Sequence, residues 1–334
     1  MQRRRAAVLG GGVAAAGALA WTGWAVERSA AARLRAGEDE LIEAGLSIPA
    51  DAQHHFIAMS DGGRIHVVEV GRGPVVVLVH GVTLSSTIWA AMLRLLAPTY
   101  RVLAVDLRGH GASTAGDSGM GFDRQAEDLR DVLSALSVAD AVLVGHSMGG
   151  MISQVLLGDA ERPVPVKAFV ALSTTTGPLS TSRAGRRMAT SLTAVARRTL
   201  HRRIHHGSSV FPGEDAATWL TRLSFGAHAE APAVELARAQ TQSLSPTILA
   251  ELLEPLLHFD GTEACGRITT PTTVVVGTRD LLTPPRLARR LAAAIPAAQL
   301  IPISKMGHMM MLEGPHALCG LIDAASSANL SGPS

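Results

Sequence analysis

The feature that most narrows what this chain can fold into is an apolar run closed by Gly-x-Ser-x-Gly: Ala141-Val142-Leu143-Val144-Gly145-His146-Ser147-Met148-Gly149-Gly150. A helical pattern, Met151 to Leu157, follows at once. A strand that turns sharply into a helix satisfies both halves. The turn needs Gly145 and Gly149, because a Cβ at either would collide with the neighbouring segment. It also lifts the Ser147 hydroxyl clear of the backbone, which a hydroxyl requires before a base can make it a nucleophile. The helix that begins there points free N–H groups at the same place, where they can stabilise an oxyanion.

The chain around this turn reads as alternating strands and helices. Two short strands, about 55–59 and 64–70, are joined by the turn Asp61-Gly62-Gly63. The unbroken run Val75-Val76-Val77-Leu78-Val79 has the composition of a strand buried on both faces of a parallel sheet. Then come a helix at 88–96, a strand at 101–106, a helix at 123–136, the Ser147 strand and helix, and a strand at 166–172. Later the alternation resumes with a strand at 273–276, a helix at 285–294, a strand at 299–303 and a helix at 316–325. This order predicts an α/β protein with a mostly parallel, doubly wound sheet. Between its two parts, residues 175–262 lack strand signals and read as helical stretches broken at Pro212, Pro232, Pro246 and Pro255. Such an insertion is expected to fold over the strand ends as a lid. The predicted division is 1–30 as anchor or export signal, 31–54 as a linker helix, 55–174 and 263–328 as the core, 175–262 as the lid and 329–334 as a tail.

A nucleophilic serine needs a base, and the base needs an orienting acid. Val274-Val275-Val276-Gly277-Thr278-Arg279-Asp280 places a carboxylate just past one strand. Ile303-Ser304-Lys305-Met306-Gly307-His308 places an imidazole just past the next. The order Ser, Asp, His puts all three groups on loops at the C-terminal edge of one sheet. With His80-Gly81, Asp106-Leu107-Arg108-Gly109-His110-Gly111-Ala112-Ser113 and the Ser147 turn, these motifs make the chain strongly resemble the α/β-hydrolase fold family, in its serine-nucleophile, lid-bearing branch. The resemblance implies Ser147 as nucleophile, His308 as general base and acid, and Asp280 as the group that orients His308. It implies an oxyanion hole formed by the backbone N–H groups of Val82 and Met148. His80, Gly81, Gly145 and Gly149 are then motif residues with structural roles, and Arg108 and His110 fix loop geometry. Asp106 ends a core strand and is the stand-in acid if Asp280 does not serve. No cofactor and no metal are expected.

Relatives of this fold that hydrolyse epoxides or dehalogenate use an aspartate nucleophile, and the former also rely on lid tyrosines. This chain has a serine, and its only tyrosine, Tyr100, enters a core strand. The expected reaction is hydrolysis of a carboxylic ester, with a small or medium acyl group extending to lipid-like ones, through an acyl-enzyme. The alternatives are acyl transfer or cofactor-free haloperoxidase-like chemistry on the same triad, and more remotely a catalytically silent membrane-tethered binding protein.

Composition constrains the partners and compartment. The net charge of +2 gives no electrostatic ground for a nucleic-acid partner. Aromatic residues are only 3%, so the core must be built from small aliphatic side chains. Arg3-Arg4-Arg5 precedes 21 uncharged residues, Ala6 to Val26, with Trp21 and Trp24 near their end. A bilayer is crossed by about 20 apolar residues. The expectation is a membrane anchor with the arginines cytoplasmic and the catalytic domain outside. The rival is a twin-arginine-type export signal cleaved near Ser29-Ala30-Ala31-Ala32, which would leave a secreted protein. Cys265 and Cys319 read as core thiols, a disulfide being the minor option after export. Seven arginines (183, 186, 187, 197, 198, 202 and 203) with no acidic residue between Arg183 and His206 read as a solvated basic face, or as a contact for anionic headgroups or an acidic substrate. His201 and His205 are one turn apart, as metal ligands can be, but no third ligand is apparent.

Overall fold

The computed structural model describes residues 45–177, 214–227 and 229–327. Eight strands form one sheet: β1 (Gln53–Ala58), β2 (Arg64–Val70), β3 (Val75–Val79), β4 (Arg101–Val105), β5 (Ala141–His146), β6 (Val166–Leu172), β7 (Thr272–Gly277) and β8 (Gln299–Ile303). Their spatial order is β1-β2-β4-β3-β5-β6-β7-β8. β1, β2 and β4 pair antiparallel, and every other pair is parallel. The all-apolar β3 is fully buried, as expected for a strand covered on both faces. From β3 the chain first moves to β4 on one side, then crosses to β5 on the other. The sheet therefore reverses direction between β3 and β5, and a crevice opens beyond their C-terminal ends.

The helices between strands are α1 (Ala90–Leu96), α2 (Phe122–Ala135), α3 (Met148–Leu157), α8 (Pro285–Ala294) and α10 (Pro315–Ser327). Alternate strand residues point to opposite faces. Val77, Val79, Leu103 and Leu143 pack with Leu129 of α2, Ile152 of α3 and Leu291 of α8. Val76, Leu78, Val102 and Val144 pack with Leu93 of α1 and Ile322 of α10. The two layers are almost wholly aliphatic, in keeping with the scarcity of aromatic residues.

Three details depart from the sequence pattern. The helix expected at 88–96 begins earlier, as a 3₁₀ turn at Ser86–Trp89. There the Ser85 and Ser86 N–H groups are captured by the side chains of Gln240 and Asp106. Pro232 and Pro246 begin helices and do not break them: they lie in the first turns of α5 (Ala231–Ser243) and α6 (Pro246–His258), where the missing N–H has no intrahelical partner to lose. α6 also runs through Pro255; Pro212 lies outside the described residues. The described chain between β6 and β7 also holds the helices α4 (Glu214–Arg222) and α7 (Thr262–Arg267). α9 (Met310–Glu313) is a single turn after β8.

Both cysteines are free. Cys265 is buried against Gln154 and Thr176, and burial pushes its thiol up to about 11. No helix among the described residues is long and apolar enough to cross a membrane. The apolar run 6–26, the arginine-rich stretch 183–206 with His201 and His205, and the tail lie outside them. Among the described residues no group of three or more histidine, cysteine or acidic side chains could hold a metal ion.

Candidate active site

Between β5 and α3 there is one residue, Ser147, at φ 51° and ψ −118°. A positive φ on a non-glycine residue is a strained conformation that surroundings must hold. Its N–H donates to Leu172 O at 3.0 Å, and its carbonyl accepts from the Thr174 hydroxyl at 2.7 Å. Neighbouring glycines let the turn sit this close to the sheet. A Cβ on Gly149 would lie 2.5 Å from the carbonyl oxygens of both Val79 and His80, and one on Gly145 would lie 2.8 Å from Gly150 Cα. The collision expected from the sequence is therefore present at both positions.

β7 and β8 deliver the other two groups. His308 Nδ1 donates to Asp280 Oδ2 at 2.9 Å. That oxygen also accepts from the Thr283 hydroxyl at 2.7 Å. Oδ1 accepts the N–H groups of Leu282 at 2.9 Å and Thr283 at 2.7 Å. Burial alone would raise the Asp280 pKa; the adjacent His308 and these donors outweigh it and hold the carboxyl at about 2. Since the Asp280 side commits Nδ1–H, the ring leaves Nε2 as the nitrogen able to take a proton. His308 and Ser147 line one cavity.

The His308 loop is fixed from several directions. The His146 ring donates from Nε2 to the carbonyl of His308 at 3.1 Å. The His308 N–H donates to Ser224 O at 2.7 Å. Glu313 accepts the N–H groups of Gly307 (3.0 Å) and Gly226 (2.7 Å), joining this loop to the segment after α4. Sequence reasoning missed Thr283, Ser224, Glu313 and this role of His146. Only Thr283 carries a signal, since an Asp followed three residues later by a hydroxyl side chain favours such local capping.

On the other side of Ser147, His80 is fully buried. Its Nδ1 donates to Gly81 O at 2.7 Å and its Nε2 accepts the Leu107 N–H at 3.0 Å. Burial keeps its pKa below the ordinary imidazole value, and with both nitrogens engaged it ties the loop after β3 to the loop after β4. A Cβ on Gly81 would lie 3.0 Å from Ser147 Cβ, so this glycine lets the loop carrying Val82 run beside the serine. Met148 is the first residue of α3, where an N–H has no intrahelical acceptor. Arg108, fully buried, pairs with Asp128 at 2.7 Å and Asp61 at 2.6 Å. His110 Nδ1 donates to Arg108 O at 2.9 Å, and burial pushes its ring down to about 3. Asp106 is occupied by His66 (2.7 Å) and the N–H groups of Ser86 and Ala112. Of the two acids considered from the sequence, Asp280 is the one bonded to His308.

The cavity has a volume of about 390 Å³. Its walls are largely apolar, from Val82, Met151, Leu253, Leu256, Leu257 and Leu282, with hydroxyls from Thr83, Thr221, Ser224 and Thr241. The only ionisable side chains on its described walls are His146 and His308.

Comparison with known proteins gives the family. The family model for the alpha/beta hydrolase fold matches residues 74–315. The chain belongs to the α/β-hydrolase fold family, and as a class it is a hydrolase of small molecules. It is 31% identical over 259 residues to a pimeloyl-[acyl-carrier protein] methyl ester esterase from Chromobacterium violaceum, covering 75% of this chain and 93% of that one. It is 35% identical over 127 residues to a 2-(acetamidomethylene)succinate hydrolase from Mesorhizobium japonicum, spanning 37% of this chain and only 45% of that relative's length. Among solved structures, an esterase from Exiguobacterium antarcticum superposes with a TM-score of 0.71 at 21% identity, over 82% of this chain and all of that one, a likeness of fold.

Proposed function

We propose that the protein is a serine esterase acting on carboxylic esters of small to medium acyl groups. The observation that carries this reading is the buried Asp280–His308 pair opening, with Ser147, onto one apolar cavity. His308 Nε2 takes the Ser147 proton as the oxygen attacks the ester carbonyl, and the carbonyl electrons move onto oxygen. The N–H groups of Val82 and Met148 receive that charge, each contributing about 3 kcal/mol of barrier lowering. On collapse, the C–O bond to the alcohol breaks and His308 returns the proton to the leaving oxygen. Water then attacks the acyl-enzyme, His308 accepts its proton, and the acid departs as Ser147 is restored. Asp280 keeps its charge throughout and holds the imidazolium as it forms.

The methyl ester esterase, aligned over nearly its whole length, supports ester chemistry in this chain. The apolar side chains on the described cavity walls favour contact with the hydrocarbon part of an acyl chain. The helices between β6 and β7 serve as the lid, since Leu253, Leu256 and Leu257 of α6 and Thr241 of α5 all face this space. A series of p-nitrophenyl esters of rising chain length tests the reading, with Ser147→Ala as control. Turnover and labelling by a fluorophosphonate are expected for the native chain and absent from the variant; a variant that keeps full activity refutes the assignment.

A further inference from the structure

Residues 81–84 form a turn closed by the Leu84 N–H on Gly81 O at 3.3 Å. Its third residue, Thr83, has φ 64°. A turn with a positive φ at this position takes glycine or asparagine, and a β-branched residue there is a true outlier. The residue before it is Val82, whose N–H faces the oxyanion in the serine esterase reading. Something must hold Thr83 in this conformation, and the contacts that do so come from α5.

Thr241 gives its own hydroxyl hydrogen to Ala237 O at 2.9 Å, so at 3.1 Å it accepts the hydroxyl of Thr83. One residue earlier, the buried Gln240 uses both ends of its amide. Its Oε1 accepts the Ser85 N–H at 2.8 Å, and its Nε2 donates to the Thr87 hydroxyl at 2.8 Å. α5 itself is seated by Ala233, Val234 and Ala237 on the same hydrophobic layer as Leu84 and Ile88. Three hydrogen bonds from one helical turn thus span the stretch from the strained Thr83 to Thr87.

We propose that Thr241 and Gln240 are positioning residues that mould the oxyanion loop, so that the Val82 donor is in place only while α5 is seated. This rests on Ser147 being the nucleophile and Val82 an oxyanion donor. Without the clamp, Thr83 relaxes toward negative φ, the 81–84 turn opens, and the Gly81–Val82 peptide that bears the donor N–H shifts with it. Strain at an outlier of this kind persists only where neighbours over-determine it.

The test uses the full chain, a fluorophosphonate probe and p-nitrophenyl acetate. Thr241→Val, of equal size but unable to accept the bond, should lower the labelling rate and kcat about tenfold, a fraction of what deleting an oxyanion donor costs, with KM little moved. Thr241→Ser should recover most of the loss. Glycine at 83 adopts the left-handed conformation without a clamp, so in a Thr83→Gly background Thr241→Val should cost nothing further. Gln240→Met provides a second route to the same fall. Labelling of Thr241→Val at the native rate, or an equal loss in both backgrounds, overturns the inference while Ser147→Ala stays silent. Labelling of Ser147→Ala at the native rate would instead remove the nucleophile assignment, and this inference with it.

Discussion

Asp280 shows how opposed effects are settled at a single group. Its burial favours the neutral acid, yet His308 and three further donors hold it ionised with a pKa of about 2. A pKa depressed below its unfolded value near 3.8 contributes stability that is fully present above that value. The contribution is lost as pH falls through about 4 toward 2, and amounts to about 2 kcal/mol at neutral pH. Urea unfolding midpoints measured from pH 6 to pH 2 should fall across that window in the native chain and show a shallower fall in Asp280→Asn. Asp280, His308 and Ser147 are legible in the sequence because each lies just past an apolar run, and a strand end fixes where such a residue points. Glu313 and Ser224 are not legible. Their partners are backbone groups of segments far away in sequence, and nothing in residue type or spacing marks an N–H that needs an acceptor.

At the scale of elements, the strand-to-helix turn is the most tightly packed part of the site. A methyl on Gly149 would meet two backbone carbonyls at the end of β3, which cannot rotate away as a side chain could. Gly149→Ala should therefore cost more than about 3 kcal/mol, the range of severe core overpacking, and reduce soluble yield. A Tm within a degree or two of the native value would show that the turn yields more readily than its contacts imply. The strands were readable in place, several to the residue, because period-2 and all-apolar runs report burial directly. The prolines were misleading for a local reason: the pattern shows that a proline interrupts, but a first-turn proline starts a helix. The 3₁₀ turn at Ser86–Trp89 depends on Gln240 and Asp106, which no local window contains.

At the scale of the molecule, alternation of strand and helix discloses the fold class, and the sheet order adds where the crevice opens. The location of the protein rests on the segment before residue 45. We propose that residues 6–26 anchor the chain in a membrane with the hydrolase domain outside. Fractionated cells should then hold the full-length chain in the membrane pellet, resistant to alkaline extraction, whereas a mature N-terminus near Arg33 would establish cleavage and secretion. A different consequence follows from β6 and β7, which are hydrogen-bonded neighbours although residues 173–271 separate them. A detour that departs and returns at adjoining strands can be lengthened, shortened or traded without disturbing the sheet, since closing a loop twice as long costs only about 0.6 kcal/mol more. The site sets the terms of any such exchange: whatever segment replaces the present one must bring its own partners for Thr83, for the Ser147 carbonyl, for the His308 N–H and for Glu313.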